Sequence, residues 1–218
     1  MQVKICGLRT AADVDSINKL HPDYAGFVFA PGRHQVKLEQ VQTLRAQLAP
    51  GIKSVGVFVN AAPALVAAQS KLAGLDVIQL HGDEAPGYIR ELRLCTRLPL
   101  VKAISLGGSA VTTEELRAVA ATGISAFLFD TASSTSYGGT GQSFNLELLE
   151  QLAVPLPFFV AGGLTALNVQ QVICRIRQGP NGPLFKGVDV SSAVETDGHK
   201  DYEKAAAFLS AVRSAAAG

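Results

Sequence analysis

A closed (β/α)8 barrel, one domain over residues 1–218, is the fold class this sequence predicts. Three observations predict it. Eight short apolar, β-branched runs recur along the chain, their starts roughly 20–32 residues apart. Segments with helical periodicity lie between them. No domain boundary interrupts the rhythm, and about 27 residues per strand–helix unit is lean but sufficient for such a barrel. An open doubly wound sheet is the competing reading. It usually needs fewer strands, and no G-x-G-x-x-G follows the first run.

The elements follow in order. The first strand is Gln2–Cys6, with Thr10 placed to cap a helix ahead of Asp13. The second is Tyr24–Phe29; it runs into Ala30-Pro31-Gly32-Arg33-His34, and Val41, Leu44, Arg45 and Leu48 space the next helix. The third, Lys53–Val59, precedes a stripe of Leu65, Val66, Gln69 and Leu72. The fourth, Val77–Leu80, leads to His81-Gly82-Asp83, with Asp83 expected to cap a helix from Glu84. The fifth is Leu100–Ile104, and Thr112-Thr113 before Glu114-Glu115 reads as a capping box. The sixth, Ala126–Asp130, feeds directly into the breaker-rich stretch Thr131–Gln142, expected to be a functional loop rather than a linker. The seventh, Phe158–Ala161, ends in Gly162-Gly163, and the eighth, Gly187–Ser191, in Ser192. A last helix over Tyr202–Val212 aligns Ala205, Phe208, Leu209 and Val212. Cys95 and Cys174 fall in helical segments and read as packing residues.

Composition narrows the function. Apolar residues make up 48% and charged residues 17%, ample for a core. The net charge of +1 gives no electrostatic bias toward nucleic acid or an anionic membrane. Three cysteines without C-x-x-C spacing suggest neither a disulfide framework nor a zinc site. No signal peptide and no spanning helix are recognisable, so a cytoplasmic protein is expected. No long exposed apolar helix face stands out, so a monomer is expected.

In such barrels the chemistry sits at the C-terminal ends of the strands. Gly162, Gly163, Ser191 and Ser192 follow strands seven and eight, where barrel enzymes bind phosphate with backbone N–H groups. The glycine-rich Tyr137–Phe144 stretch, with Gly138, Gly139 and Gly141, is either a third phosphate element or a plain loop; it does not match G-x-x-x-x-G-K-[ST]. Asp130 closes an apolar strand, which suits a general acid or a helix cap. Cys6 at the tip of strand one is a buried hydrophobe or a reactive thiol. Period-two alternation puts Lys4 on its face, one layer deeper, where an ammonium would lower the thiol pKa. Asp189, on the neighbouring strand eight, is expected to pair with Lys4 inside the barrel. Gln79 and His81 share one face of strand four and line the pocket or belong to the core. A thiolate and a carboxylic acid facing each other suit proton removal at one atom and delivery at another, which is isomerase chemistry. A thiol hydrolase would need a histidine partner, and His81 is available for it.

Several stretches together resemble the phosphoribosylanthranilate isomerase family of tryptophan biosynthesis. They are KICGLR at 4–9, AGFVFAPGRHQV at 25–36, VGVFVN at 55–60, VIQLHGDE at 77–84, FLFDT at 127–131, GGTGQSFN at 138–145, FFVAGGLTALNV at 158–169 and GVDVSSAVETDGHKD at 187–201. The resemblance implies a (β/α)8 barrel and an Amadori rearrangement of N-(5′-phosphoribosyl)anthranilate. It implies Cys6 as the general base at C2 of the opened sugar, and Asp130 as the general acid at the ring oxygen. It also implies that no cofactor is needed, since the substrate's nitrogen acts as electron sink. Three departures stand out. The family's carboxylate-holding arginine aligns with His34, so either Arg33, one residue earlier, or His34 does that work. The family's F-D-W reads Phe144-Asn145-Leu146. Its S-S-G-V-E reads Ser191-Ser192-Ala193-Val194-Glu195, with a Cβ on Ala193 that must avoid positive φ. Related phosphate barrels fit less well: indole-glycerol-phosphate synthases are expected to use lysine and glutamate, and histidine-pathway isomerases to pair two aspartates. A binder that kept the barrel without turnover would have no use for both Cys6 and Asp130.

Overall fold

A computed structural model describes residues 1–106, 111–130 and 146–217. The glycine-rich stretch with Gly138, Gly139 and Gly141 lies outside the described residues. Eight parallel strands close into a barrel: β1 (Gln2–Cys6), β2 (Tyr24–Val28), β3 (Lys53–Phe58), β4 (Val77–Leu80), β5 (Leu100–Ser105), β6 (Ala126–Asp130), β7 (Phe158–Ala161) and β8 (Phe185–Val190). Closure joins β1 to β8, with Lys4 in register with Asp189. Helices follow the strands: α1 (Ala11–Asn18), α2 (Leu38–Arg45), α3 (Pro63–Ala73), α4 (Pro86–Cys95), α5 (Thr113–Ala120), α6 (Leu146–Gln151), α7 (Val169–Gln178) and α8 (Tyr202–Ala217).

The closed barrel explains the apolar runs. A strand covered by helices outside and by side chains inside is buried on both faces, so it reads as nearly continuous Val, Ile, Leu and Phe. Two apolar layers result. The large one lies between sheet and helices, with Ile5, Phe27, Ile78, Phe127, Phe129 and Phe158 fully buried. The smaller holds Ala103, Leu128 and Ala161, with Val101 and Phe159 against them. The Phe159 ring meets Tyr24 edge-on at 5.8 Å.

Two helix starts match their sequence signals. Thr10 and Asp13 form a capping box on α1, and Thr112 and Glu115 form one on α5. The fourth helix does not start on Asp83. It begins at Pro86, and Ala85 caps it without a side-chain bond. Glu84 is engaged elsewhere: it accepts from the N–H groups of Asn60 and Gly82 and pairs with buried Lys102 at 2.9 Å. On α3 the buried stripe is Val66, Ser70 and Ala73, whereas Leu65 and Leu72 face outward. Cys95 and Cys174 are exposed, not packed. The stripe on α8 is as read, with Ala205, Phe208, Leu209 and Val212 buried. Among the described residues, no helix is long and apolar enough to cross a membrane.

After β8 the chain makes a 3-10 turn (Ser192–Val194) and a small hairpin, β9 (Glu195–Thr196) with β10 (His199–Lys200). Asp197 and Gly198 turn it with φ of 50° and 81°. Positive φ at both central residues is what a two-residue hairpin of matching twist requires, and Asp-Gly supplies it.

Candidate active site

The C-terminal mouth of the barrel opens into a cleft of about 660 Å³. Every expected site residue among those described lines it, from Cys6 on β1 to Ser192 after β8. Most come from strand ends or the residues just beyond, so the barrel itself sets their spacing.

Cys6 ends β1 on the inward face. Its partner across the strand pair is Gly26, where a Cβ would stand 2.7 Å from the sulfur. One layer deeper, Lys4 Nζ donates to Asp189 Oδ2 at 2.7 Å, and both side chains are buried. The pairing of these two residues is as expected. Its effect on the thiol is not. Burial pushes the Cys6 thiol up, and Asp189 adds to the rise, while Lys4 and Lys200 oppose it without prevailing. The ammonium that was to hold a thiolate is already matched by a carboxylate, so the resting group is the thiol. The second oxygen of Asp189, Oδ1, is buried and has no hydrogen-bond partner among the described residues. A buried acceptor in that state is costly unless a ligand donor reaches it.

Gln79, His81 and Asp130 form a chain along the opposite wall. Gln79 Nε2 lies 2.8 Å from His81 Nδ1, and His81 Nε2 lies 3.4 Å from Asp130 Oδ2. An amide nitrogen only donates, so Nδ1 accepts and the ring proton sits on Nε2, toward the carboxylate.

Gly162 and Gly163 follow β7 with φ of 85° and 62°, a left-handed pair that residues with side chains rarely adopt. Beside them, after the neighbouring β8, Ser191 Oγ donates to the Cys6 carbonyl at 3.0 Å, fastening the β8 end to the β1 end. Ala193 is not among the residues with positive φ, so its Cβ is accommodated.

Arg33 and His34 both reach one carboxylate. His34 Nε2 lies 2.9 Å from Glu195 Oε1, and Arg33 Nη2 donates to Glu195 Oε2. Lys200 Nζ donates to Oε1 at 2.5 Å. Burial alone would raise the Glu195 carboxyl, but Lys200, His34 and Arg33 hold it below the usual range. Burial pushes the His34 imidazole down; Lys200 and Arg33 act the same way against the pull of Glu195. Arg9 braces this corner, donating to the carbonyls of Arg33 at 3.2 Å and Gly198 at 2.5 Å.

Sequence reading missed Glu195 and Lys200 as a working pair. The signal was present: Asp197-Gly198 between Thr196 and His199 specifies a tight hairpin, and such a hairpin sets Glu195 opposite Lys200.

Comparison with known proteins agrees with this geometry. The family model described as N-(5'phosphoribosyl)anthranilate (PRA) isomerase matches residues 3–211. An N-(5'-phosphoribosyl)anthranilate isomerase of Thermoanaerobacter sp. (strain X514) is 39% identical over 213 residues, 98% of each chain. Among solved structures, TrpF from Jonesia denitrificans superposes with a TM-score of 0.81 at 30% identity, over 99% of this chain and 98% of that one. A phosphoribosyl anthranilate isomerase in complex with reduced 1-(o-carboxyphenylamino)-1-deoxyribulose 5-phosphate superposes at 0.75 and 26% identity, over 98% of this chain and 99% of the other. A full-length family match, laid on a closed barrel whose mouth gathers Cys6, Asp130 and the two glycine- and serine-rich turns, makes this chain a member of the N-(5'-phosphoribosyl)anthranilate isomerase family.

Proposed function

We propose that this protein converts N-(5′-phosphoribosyl)anthranilate to 1-(2-carboxyphenylamino)-1-deoxyribulose 5-phosphate, an Amadori rearrangement in tryptophan biosynthesis. The observation that carries the reading is a single cleft, in a chain of this family, lined by both Cys6 and Asp130. Asp130 donates a proton to the ring oxygen. The C1–O bond breaks, and the nitrogen lone pair forms the C1=N bond of a Schiff base. Cys6 as thiolate removes the C2 proton, and the electron pair moves onto the iminium nitrogen. The resulting enolamine ketonises as C1 gains a proton and the C2 hydroxyl loses one.

Burial favours the Cys6 thiol, so the thiolate that removes the C2 proton is the minor form of the free protein, and the ring-opening step requires Asp130 to carry a proton. The Gly162-Gly163 and Ser191-Ser192 turns hold the phosphate, and the unpartnered Asp189 Oδ1 accepts from a sugar hydroxyl. Arg33 or His34 faces the anthranilate carboxylate.

The test is the loss of anthranilate-type fluorescence when purified protein meets freshly made substrate. Acceleration over the spontaneous rate is expected, with Cys6→Ala and Asp130→Asn each at least about 10²-fold slower in kcat. No acceleration by the unaltered protein would defeat the reading.

A further inference from the structure

Glu195 is a buried carboxylate that the proposed proton transfers do not use, yet it meets three nitrogen-bearing side chains. Its side chain is 2% exposed, and that of Lys200 is 1% exposed. Lys200 also donates to the Ser191 carbonyl at 3.3 Å, so the pair is fixed to the end of β8. The His34 ring packs where a side chain on Gly7 would stand, 3.1 Å from that position. Arg33 differs from both: its side chain is 60% exposed and borders the cleft.

Charge decides which of the two neighbouring residues faces an anion. Glu195 and Lys200 cancel. His34, pushed down by burial, carries no charge at neutral pH. Arg9 lies outside the cleft lining and spends its Nη groups on the Arg33 and Gly198 carbonyls. Of the residues that border the cleft here, Arg33 keeps the remaining charge; its guanidinium has five donors and spends only part of them on one glutamate oxygen. A planar fork held at one end is well suited to a second carboxylate.

We propose that Glu195 is a positioning residue: it anchors Arg33 at the cleft as the cation that recognises the substrate's aryl carboxylate, and occupies the Nε2 of His34 itself. This rests on the substrate class proposed above. Carboxylate selectivity in this chain is then set from the β9–β10 hairpin, which lies against the loop that carries the arginine.

The test uses two inert ligands: reduced 1-(o-carboxyphenylamino)-1-deoxyribulose 5-phosphate and its phenylamino counterpart without the carboxylate. Calorimetry gives the affinity ratio. The unaltered protein should prefer the carboxylated ligand by about 10-fold or more, the range of a charge-assisted bond. Glu195→Gln should shrink the ratio to below about 3-fold while the phenylamino ligand keeps its affinity. Arg33→Met should do the same. His34→Gln, whose amide still donates to Glu195, should preserve the ratio. Glu195→Asp keeps the charge beside Lys200 but withdraws it by one methylene; it should also collapse the ratio, and it replaces Glu195→Gln if that variant does not fold. An unchanged ratio in the Glu195 variants, equal weakening of both ligands, or collapse in His34→Gln rather than Arg33→Met overturns the assignment. Failure of the unaltered protein to bind either ligand overturns the substrate reading beneath it.

Discussion

The sulfur of Cys6 occupies the space that a side chain on Gly26 would need. A Cβ at Gly26 would lie 2.7 Å from Sγ and 3.0 Å from the Cys6 Cα. Neither neighbour is a flexible tip. The two residues are register partners on adjacent strands, so the thiol is held by an absence of side chain as much as by its own backbone.

Gly26→Ala should therefore displace the thiol. Overpacking of this kind costs about 1–3 kcal/mol, which thermal unfolding would register. The larger effect should be on kcat, on the order of 10-fold or more, because small misplacement of a reacting group is costly. A variant with full activity would show that Cys6 moves without consequence.

Asp189→Asn and Lys4→Met should shift the Cys6 thiol in opposite directions. Asp189 raises it and Lys4 lowers it, so Asp189→Asn should increase thiolate at a given pH and Lys4→Met should decrease it. Alkylation by iodoacetamide across pH 6–10 reads this directly. The exposed Cys95 and Cys174 must first be replaced by serine. In the unaltered protein the alkylation limb should lie above that of an ordinary thiol.

Gln79→Leu removes the donor that keeps the His81 proton on Nε2. The ring is then free to change tautomer and lose its approach to Asp130. A fall in kcat of roughly 10-fold with little change in KM is expected, and nitrogen NMR of His81 should show the tautomer change.

The Glu84–Lys102 pair should behave as a buried ion pair. Removing one partner, as in Glu84→Gln or Lys102→Met, should cost about 3–5 kcal/mol. The double variant Glu84→Gln/Lys102→Met should recover part of that loss. Chemical denaturation of the four proteins closes the cycle.

Acid should unfold the protein through carboxylates held low in the fold. Glu84, Glu195 and Asp13 all titrate below their ordinary values. Near pH 4 the unfolded chain binds protons that the folded one does not, so stability rises with pH there. It should be fully present above about pH 5 and drain away as pH falls through about 4 and below. Unfolding free energies between pH 3 and 7 check the sign.

The strands were legible because a barrel buries both faces of each, leaving continuous apolar runs at regular spacing. That Cys6 and Asp130 line the mouth was legible because side chains at strand tips on the inward face have one place to point. Leu65 and Leu72 misled, since an apolar residue on α3 is as free to face solvent as a small polar one is to face the sheet. Asp83 misled because the carboxylate next to it was already committed to a lysine on another strand. The thiol's ionisation was misjudged for a different reason: the Lys4–Asp189 pairing was legible from strand neighbourhood, but burial of the sulfur, which raises its pKa more than Lys4 lowers it, was not weighed.

The span of the contacts that close the barrel has a consequence for biogenesis. Lys4 to Asp189 and the Cys6 carbonyl to Ser191 each bridge 185 residues, and Asp13 to Lys200 bridges 187. During synthesis the first strand waits for almost the whole polypeptide before its buried ammonium meets a counter-ion. The surroundings that define the thiol are thus assembled last. An unfinished chain holds Cys6 in a different environment from the one that the closed ring gives it.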